Sequence, residues 1–490
     1  MSIKEIEAMF DSAEFRRSGH ALIDLLADYL DKNLQGKNNV LDWQPPALAS
    51  QQWREPLPAH GTLTPATLLQ RLGDDVLAAS LHIHHPRNLG HQVAPPLPLA
   101  ALCDLVAALT NQAMAVYETG PSATMLERQV LLWMCELIGW NNGEGVLTSG
   151  GAQANLTALL AARQVQASNS QAGKCQPGWN AWQQGIAGAP PLRILASTHA
   201  HYSVSRAAGI MGLGTDAVLH VAADNQGRMQ VTALQQAWQQ CVAESNKPFA
   251  VVATAGCTPT GSIDPLVEIG EFCREKSLWF HVDGAHGASA LLSATHRQAL
   301  IGIALADSVV WDGHKLLYMP APVSAVLFRD PQHSYAAFAQ EASYLFQGNS
   351  DAEEAYNTSY RTLECTKRMM GLKLWAAFSL YGVEKLGGLI DWVYATARSL
   401  AQKLANADDF ELLMQPQTNI VCFRHRPPGL DDDALDAHQI KLRNTLVQSG
   451  SFHLTQVKLY DQIWLRTTIM NPLTAESDLD ALLNTLRATP

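Results

Sequence analysis

Residues 279–287 read Trp-Phe-His-Val-Asp-Gly-Ala-His-Gly, an apolar run that ends in an aspartate among small residues. Helix-length segments such as 231–242 and 265–276 separate this run from others of similar length. The other runs are residues 193–196, 217–221, 249–253, 308–311 and 323–328. Short buried strands that alternate with helices are typical of a mainly parallel sheet covered on both faces. The sequence therefore predicts an α/β fold.

The two ends of the chain show different patterns. Residues 13–31 carry apolar side chains at helical spacing, and the proline-rich stretch 43–58 then interrupts regular structure. We expect an N-terminal helical arm and crossing segment over residues 1–96, packed on another subunit or on the main domain. A large α/β domain is expected over residues 97–370, and a small C-terminal α+β domain over 371–490.

Composition narrows the class of protein. The chain has 490 residues, of which 47% are hydrophobic and 16% charged, so it can bury a large core. Its net charge of -11 would repel the phosphate backbone of a nucleic acid, so we do not expect nucleic-acid binding to be its main activity. The eight scattered cysteines include no CxxC pair, no apolar stretch approaches the roughly 18 residues of a membrane span, and the N-terminus lacks a secretory h-region. We expect a soluble cytoplasmic protein that does not bind membranes.

Three predicted strands are followed by residues suited to ligand binding at the carboxyl edge of the sheet. The turn at 148–155, Thr-Ser-Gly-Gly-Ala-Gln-Ala-Asn, opens onto a helix whose backbone N–H groups favour an anion. Asp283 follows one strand, and if buried it requires a cationic or hydrogen-bonding partner. Lys315 follows another, and its neutral amine is a nucleophile toward carbonyl groups. Each feature alone has a structural alternative: a tight turn, a helix N-cap or a solvated loop lysine.

Taken together, these features resemble a known family. The glycine-rich turn, His201, the segment 283–285 and the His314-Lys315 pair, in this order and at these separations, look like the pyridoxal-phosphate-dependent group II amino-acid decarboxylases. The resemblance covers most of the chain. It implies the type I fold of PLP-dependent transferases, a homodimer, and conversion of an L-amino acid to its amine and CO2. Residues 344–348 and 465–467 look closest to bacterial 2,4-diaminobutyrate and glutamate decarboxylases.

The resemblance also implies roles for single residues. Lys315 matches the lysine that binds pyridoxal 5'-phosphate (PLP) covalently, Asp283 the acid that bonds the pyridine nitrogen, and His201 the histidine that stacks on the ring. Four further residues match cofactor-binding positions, three on the phosphate side and one beneath the ring: Gly151, Ala152, His314 and Ala285. The chain departs from the common pattern at Gly284, where many relatives carry Ala, and at Asp312-Gly313, which replaces Asn-Pro.

The segment 354–365 resembles the mobile loop that carries a proton-donating tyrosine in this family. Counting back from Leu363-Glu364-Cys365 favours Tyr356 over Tyr360 as the residue that protonates the substrate α-carbon. Loop closure would also exclude water from the reaction.

Three residues are candidates for substrate binding. His91 and Gln92 lie in a stretch, 85–92, that looks like the family's substrate-pocket segment. Arg466 resembles the arginine that holds a substrate carboxylate in the glutamate enzyme. Its alternative role is to stabilise the fold.

The cluster of His82, His84, His85 and His91 raises the question of a metal site. His84 and His85 are adjacent, Pro86 interrupts the segment, and neither a carboxylate nor a cysteine completes a usual ligand set. We therefore expect no metal.

Other functions remain open at the level of sequence. The chain could catalyse a different PLP reaction, such as transamination, β-elimination or aldehyde-forming oxidative decarboxylation. A Phe at position 356 would favour the aldehyde route, and a Tyr stands there. It could also be a catalytically silent homologue acting as a binding subunit, against which Lys315, Asp283 and His201 argue.

Overall fold

The main sheet is built from seven short strands. A computed structural model describes residues 1–168, 181–187, 190–338 and 354–489. The strands are Glu144–Thr148 (β1), Leu192–Ser197 (β2), Val218–Val221 (β3), Lys247–Thr254 (β4), Trp279–Asp283 (β5), Ser308–Asp312 (β6) and Ser324–Phe328 (β7). Their order in the sheet is β1-β7-β6-β5-β4-β2-β3. Strands β2 to β6 pair in parallel, whereas β7 is antiparallel to its neighbours β1 and β6. The predicted α/β fold with a mainly parallel sheet is confirmed.

Helices follow most of these strands and are ended by recognisable signals. The α-helices between residues 98 and 405 are Pro98–Thr110, Pro121–Ile138, Gly151–Ser168, Ala181–Gln184, Ser203–Ile210, Val231–Ala243, Leu266–Lys276 and Gly371–Ala405. The helix Pro121–Ile138 illustrates the signals: proline opens its first turn, and Gly139, with φ of 100°, ends it in the left-handed conformation. The expected helices at 231–242 and 265–276 are confirmed.

Alternation along the strands divides the core into two layers. Val251 and Ala253 of β4 pack into one apolar cluster, whereas Ala250 and Val252 pack into the other. Successive side chains of a strand point to opposite faces, so one run of apolar residues supplies both layers. This explains why the predicted strands read as continuous apolar runs.

The pairing register aligns the carboxyl ends of the strands. Thr254 at the end of β4 pairs with Asp283 at the end of β5. Asp312 at the end of β6 pairs with Ser324, which also pairs with Thr148 at the end of β1. Polar residues that lie far apart in sequence therefore meet at one edge of the sheet.

The chain divides into two compact units, one formed by residues 92–398 and 414–421 and the other by 1–91, 399–413 and 422–490. The second unit contains the helices Ile3–Ala8, Ser12–Leu34, Pro46–Gln52, Pro65–Arg71, Asp432–Ser449 and Glu476–Ala488. It also holds nearly all of a four-stranded sheet made of Phe410–Leu412 (β8), Ile420–His425 (β9), Thr455–Leu459 (β10) and Gln462–Thr468 (β11). The predicted division into three consecutive segments stays a prediction.

Within this second unit, N-terminal and C-terminal residues hydrogen-bond directly. The N–H of Val40 donates to the carbonyl of Gly450, and the N–H of Leu89 donates to that of His453. The short helix Pro46–Gln52 lies in the proline-rich stretch where we expected irregular structure, because Pro46 occupies the first helical turn, where its missing N–H costs nothing.

One sequence feature used above falls outside the described residues. The segment 344–348, on which the diaminobutyrate-like and glutamate-like resemblance partly rests, lies outside them.

In the part of the chain that is described, no helix is both long enough and apolar enough to cross a bilayer.

Candidate active site

A cavity of about 280 Å³ lies at the carboxyl edge of the main sheet. It is lined by seven residues that the sequence singled out: Gly151, Ala152, His201, Asp283, Ala285, His314 and Lys315. Thr254, at the end of β4, and Asn155, in the helix that follows β1, also line it. The structure thus brings together, in one cavity, residues that span more than 160 positions of the chain.

Lys315 is held at the cavity by an ion pair. Its Nζ lies 3.1 Å from Oδ2 of Asp312, whose side chain is almost fully buried. Ser324 donates a 2.5 Å hydrogen bond to the other carboxylate oxygen of Asp312. Sequence reasoning missed the role of Asp312, although an aspartate three residues before Lys315 at the end of a buried strand was the available signal. The ion pair with Asp312 positions the amine of Lys315 at the carboxyl edge of the sheet, where the cavity lies.

Asp283 has the hydrogen-bonding partners that its burial demands. The side-chain amide of Asn155 donates to Oδ2 over 2.9 Å, and the N–H of Ala285 donates to Oδ1 over 3.2 Å. Two donors stabilise the ionised form of a buried carboxylate. Asp283 is therefore an oriented acceptor at the cavity, as the sequence predicted, but its side-chain partner Asn155 was not foreseen.

His201 is held as a neutral ring. Burial lowers the pKa of His201 below its usual range, and the opposing effect of the Asp283 carboxylate is smaller. Its Nδ1 lies 2.8 Å from Oγ of Ser203. A neutral imidazole presents a flat apolar face, which suits stacking against an aromatic ligand.

The glycine-rich turn leads directly into the long helix Gly151–Ser168, whose first two residues line the cavity. A Cβ at Gly151 would lie 3.0 Å from Oδ1 of Asp312, so a larger residue would press on the partner of Lys315. His314 is fixed by a 2.8 Å hydrogen bond between its Nδ1 and the carbonyl of Val323. A helix start with small residues beside a histidine is suited to binding a phosphate group.

Local packing explains the two departures from the common family pattern. A Cβ at Gly284 would lie 2.9 Å from the Cβ of Ala288 and 3.0 Å from the carbonyl of Val310. Gly313 donates its N–H to the carbonyl of Val323 over 2.9 Å, a bond that proline could not form. Both glycines are therefore matched to their surroundings.

Tyr356 does not line the cavity of Lys315 in the described part of the chain. Its ring lies 4.7 Å from the guanidinium carbon of Arg128 and 5.8 Å from the ring of Tyr117. Tyr360 donates a 3.3 Å hydrogen bond to Glu354. The structure leaves the proposed proton-donating role of Tyr356, and the alternative Tyr360, as predictions.

The predicted substrate-binding residues belong to different units. His91 and Arg466 lie in the unit that contains the termini, and Gln92 begins the other. Burial lowers the pKa of His91, and the nearby charges of Arg466 and Arg443 lower it further. Arg466 is itself buried and donates to Oγ1 of Thr455 over 3.3 Å. The charges of Arg466 and Arg443 thus act on His91, and a role of these residues in substrate binding stays a prediction.

The histidine-rich segment makes structural hydrogen bonds. Nδ1 of His82 lies 2.6 Å from the carbonyl of Asn39, and Nε2 of His85 lies 2.9 Å from the carbonyl of Asn38. Among the residues that the structure describes, no group of three or more histidine, cysteine or acidic side chains is arranged to hold a metal ion.

Comparison with known proteins identifies the family. Residues 75–426 match the pyridoxal-dependent decarboxylase conserved domain. The cysteine sulfinic acid decarboxylase of Mus musculus is 33% identical over 470 residues, which cover 93% of this chain and 92% of that protein. A crystal structure of mouse CSAD has a TM-score of 0.90 at 30% identity, covering 98% of this chain and 99% of that one.

Other relatives of similar identity are named for an acidic amino acid or for L-2,4-diaminobutyrate. The acidic amino acid decarboxylase GADL1 of Mus musculus is 30% identical over 457 residues, covering 91% of this chain and 80% of the relative. The L-2,4-diaminobutyrate decarboxylase of Acinetobacter baumannii is 30% identical over 418 residues, covering 85% and 82%. The chain belongs to the pyridoxal-dependent decarboxylase family, and it is a PLP-dependent amino-acid decarboxylase.

Proposed function

We propose that the cavity at the carboxyl edge of the main sheet is the PLP site. The observation that carries this assignment is the convergence of Lys315, Asp283 and His201 on one cavity at a helix start. PLP supplies, when bound, an electron sink for the electron pair left on the α-carbon as CO2 departs. Lys315 offers its amine to the cofactor carbonyl, and Asp283 keeps a proton on the ring nitrogen by accepting its hydrogen bond. His201 orients the ring.

The remaining lining residues fit the rest of the cofactor. Gly151, Ala152 and His314 hold the phosphate group, because the helix start supplies N–H donors and the absence of large side chains allows close approach. Ala285 leaves room beneath the ring. Tyr356, or Tyr360 in its place, delivers a proton to the α-carbon after CO2 has left.

For the substrate, we propose an L-amino acid with an anionic side chain, carboxylate or sulfinate. Arg466, which resembles the carboxylate-binding arginine of glutamate decarboxylases, is buried near His91 and Arg443. Arginine binds planar oxyanions with two parallel hydrogen bonds. The cysteine sulfinic acid and acidic amino acid decarboxylases among the relatives agree with this class. L-2,4-Diaminobutyrate is the second candidate, because a relative with that activity matches 85% of the chain.

The substrate class can be tested by measuring CO2 release from a panel of amino acids. We expect kcat/KM to be highest for one of L-cysteine sulfinate, L-aspartate or L-glutamate. Arg466→Gln should raise KM for that substrate about 10- to 100-fold through loss of a charged hydrogen bond. Arg424→Gln, which alters another buried arginine of the same unit, is the matched control. Preference for L-2,4-diaminobutyrate would overturn the proposed class.

We also propose that the enzyme is a homodimer of the cytoplasm. The helix Ser12–Leu34 leaves Phe15, Ile23 and Leu26 exposed, and a second copy could cover them. All seven cysteines in the described residues are free thiols, which fits a reducing compartment. Light scattering of the purified protein should give twice the chain mass of 53.3 kDa. A monomeric mass would contradict the dimer.

A further inference from the structure

Asn155 hydrogen-bonds to Asp283 and to Ser203, which in turn hydrogen-bonds to His201. It is 1% exposed, and it sits in the second turn of the helix Gly151–Ser168. Its Nδ2 donates over 2.9 Å to Oδ2 of Asp283 and over 2.9 Å to Oγ of Ser203. One side-chain amide therefore connects the acid of the site with the partner of its histidine.

The bonds behind Asn155 fix which of its atoms donate. Its Oδ1 lies 2.9 Å from Nε2 of His281, whose Nδ1 lies 2.8 Å from Oγ of Ser308. Trp279 donates its ring N–H to the same Oγ over 2.9 Å. Because the carboxylate of Asp283 can only accept, the NH2 group of Asn155 faces it, and Oδ1 of Asn155 accepts the Nε2 proton of His281. A neutral His281 then accepts at Nδ1 from the hydroxyl of Ser308.

The resulting direction of donation is consistent with a neutral His281. Burial lowers the pKa of His281 to about 4, although the carboxylate of Asp283 acts in the opposite direction. A neutral ring has one donor and one acceptor, as this arrangement requires. The amide of Asn155 is thereby held with its NH2 group toward Asp283 and Ser203.

On the other side, the bonds determine the tautomer of His201. Because Oγ of Ser203 accepts from Asn155, its own proton is free to donate to Nδ1 of His201, 2.8 Å away. The backbone N–H of Ser203 also points to this Nδ1, over 3.3 Å. Nδ1 is then an acceptor, and the single proton of the neutral ring lies on Nε2.

We propose that Asn155 is a positioning residue that orients the carboxylate of Asp283 and, through Ser203, keeps His201 in its Nε2-protonated form before the cofactor binds. This inference rests on the proposed placement of PLP, with His201 against its ring and Asp283 at its ring nitrogen. Each side chain of the network has a hydrogen-bond partner within the protein, so the fold itself holds Asp283 and His201 in place.

The test measures PLP affinity of the apoprotein by quenching of tryptophan fluorescence, as a function of pH, without any substrate. Asn155→Ala should weaken PLP binding about tenfold or more, since a hydrogen bond to a charged group is lost. Asn155→Asp keeps the shape and the acceptor for His281 but places a second carboxylate beside Asp283, so it should weaken binding further.

Ser203→Ala separates the two arms of the network. It leaves the bond between Asn155 and Asp283 intact but removes the hydroxyl donor to His201, so the loss of affinity on acidification should begin at a higher pH. Thr157→Val is the matched control, because Thr157 lies on the same helix, is 1% exposed and takes no part in the network. It should match the wild type. Circular dichroism confirms that each variant is folded.

Two results would overturn the inference: wild-type affinity in both Asn155 variants, or a wild-type pH profile in Ser203→Ala. Should the Asn155 variants fail to fold, Ser203→Ala alone still decides whether His201 is controlled through this network. Lys315→Ala serves as the benchmark for the site itself. Unchanged PLP affinity in Lys315→Ala would contradict the proposed cofactor site, whereas weakened binding there with no effect at Asn155 would contradict only the inference.

Discussion

The carboxyl edge of the main sheet and the segment around Tyr356 belong to the same compact unit, but their side chains are held in different ways. At the edge, Asp283 accepts two hydrogen bonds and Lys315 is paired with a buried aspartate. Tyr356 is half-buried and contacts the guanidinium group of Arg128 and the ring of Tyr117. Contacts of that kind contribute only about 0.5 to 2 kcal/mol. The edge is preformed, whereas Tyr356 can leave its position at small cost.

The comparison predicts the largest loss of activity when Lys315, the amine at the carboxyl edge of the sheet, is removed. Lys315→Ala should reduce turnover by roughly 10³-fold or more while the fold is retained. Borohydride reduction of the wild-type holoenzyme, followed by peptide mass spectrometry, should label Lys315. Lys276→Ala, at a surface lysine that contacts Trp238, should leave both readouts unchanged. Label on another lysine would show that Lys315 is not the anchor.

Loss of the loop hydroxyl should change the products rather than cofactor binding. Tyr356→Phe should keep PLP affinity and CO2 release but lower the amount of amine formed per CO2, because protonation of the α-carbon fails. Aldehyde, ammonia and peroxide should then appear as oxygen reacts instead. The measurement is the ratio of amine to CO2, with Tyr360→Phe as the matched control.

Either tyrosine could prove to be the donor. An unchanged ratio in Tyr356→Phe together with loss of amine in Tyr360→Phe would move the role to Tyr360. Unchanged ratios in both variants would remove this segment from the mechanism.

The buried His281, whose ring hydrogen-bonds to Asn155, should also make the stability of the protein depend on pH. His281 binds a proton near its ordinary value of 6.5 when unfolded but only near pH 4 when folded, because of burial. Its contribution to the free energy of unfolding is therefore fully present above pH 6.5 and is lost as the pH falls toward 4, on the order of 3 kcal/mol in total. Urea unfolding at several pH values should show a flatter dependence for His281→Gln. Burial also lowers the pKa of His453 to about 4, so His453 adds a similar pH dependence to the stability of both the wild type and the His281→Gln variant.

The smallest effect concerns packing beneath the edge. Gly284→Ala should lower the free energy of unfolding by about 1 to 3 kcal/mol, because its Cβ would press on Ala288 and on the carbonyl of Val310. Gly388→Ala is the matched control, since a Cβ at this exposed helical glycine meets nothing within 4 Å. It should stabilise the protein by about 0.5 to 1 kcal/mol. Equal effects of the two substitutions on the urea midpoint would contradict this account.

Local sequence was sufficient for the strands and for the residues that follow them. All five residues of the run 279–283 are buried, and an aspartate ends it, so both the buried strand and the candidate ligand could be predicted from adjacent residues. The order of the glycine-rich turn, Asp283 and Lys315 along the chain then indicated the family, and the family match confirms it.

The side-chain partner of Asp283 depended on tertiary structure. Asn155, in the helix that follows β1, meets Asp283 at the end of β5 only through the packing of that helix on the sheet. Asp312 and Ser203, in contrast, lie three and two residues from Lys315 and His201 and meet them through local turns. Hydrogen bonds form between groups 3 Å apart in space whatever their separation along the chain, which here reaches 128 positions between Asn155 and Asp283. The chain's local patterns thus determined its fold, its reactive groups and the close partners of Lys315 and His201, whereas only the packed structure decided how Asp283 is oriented.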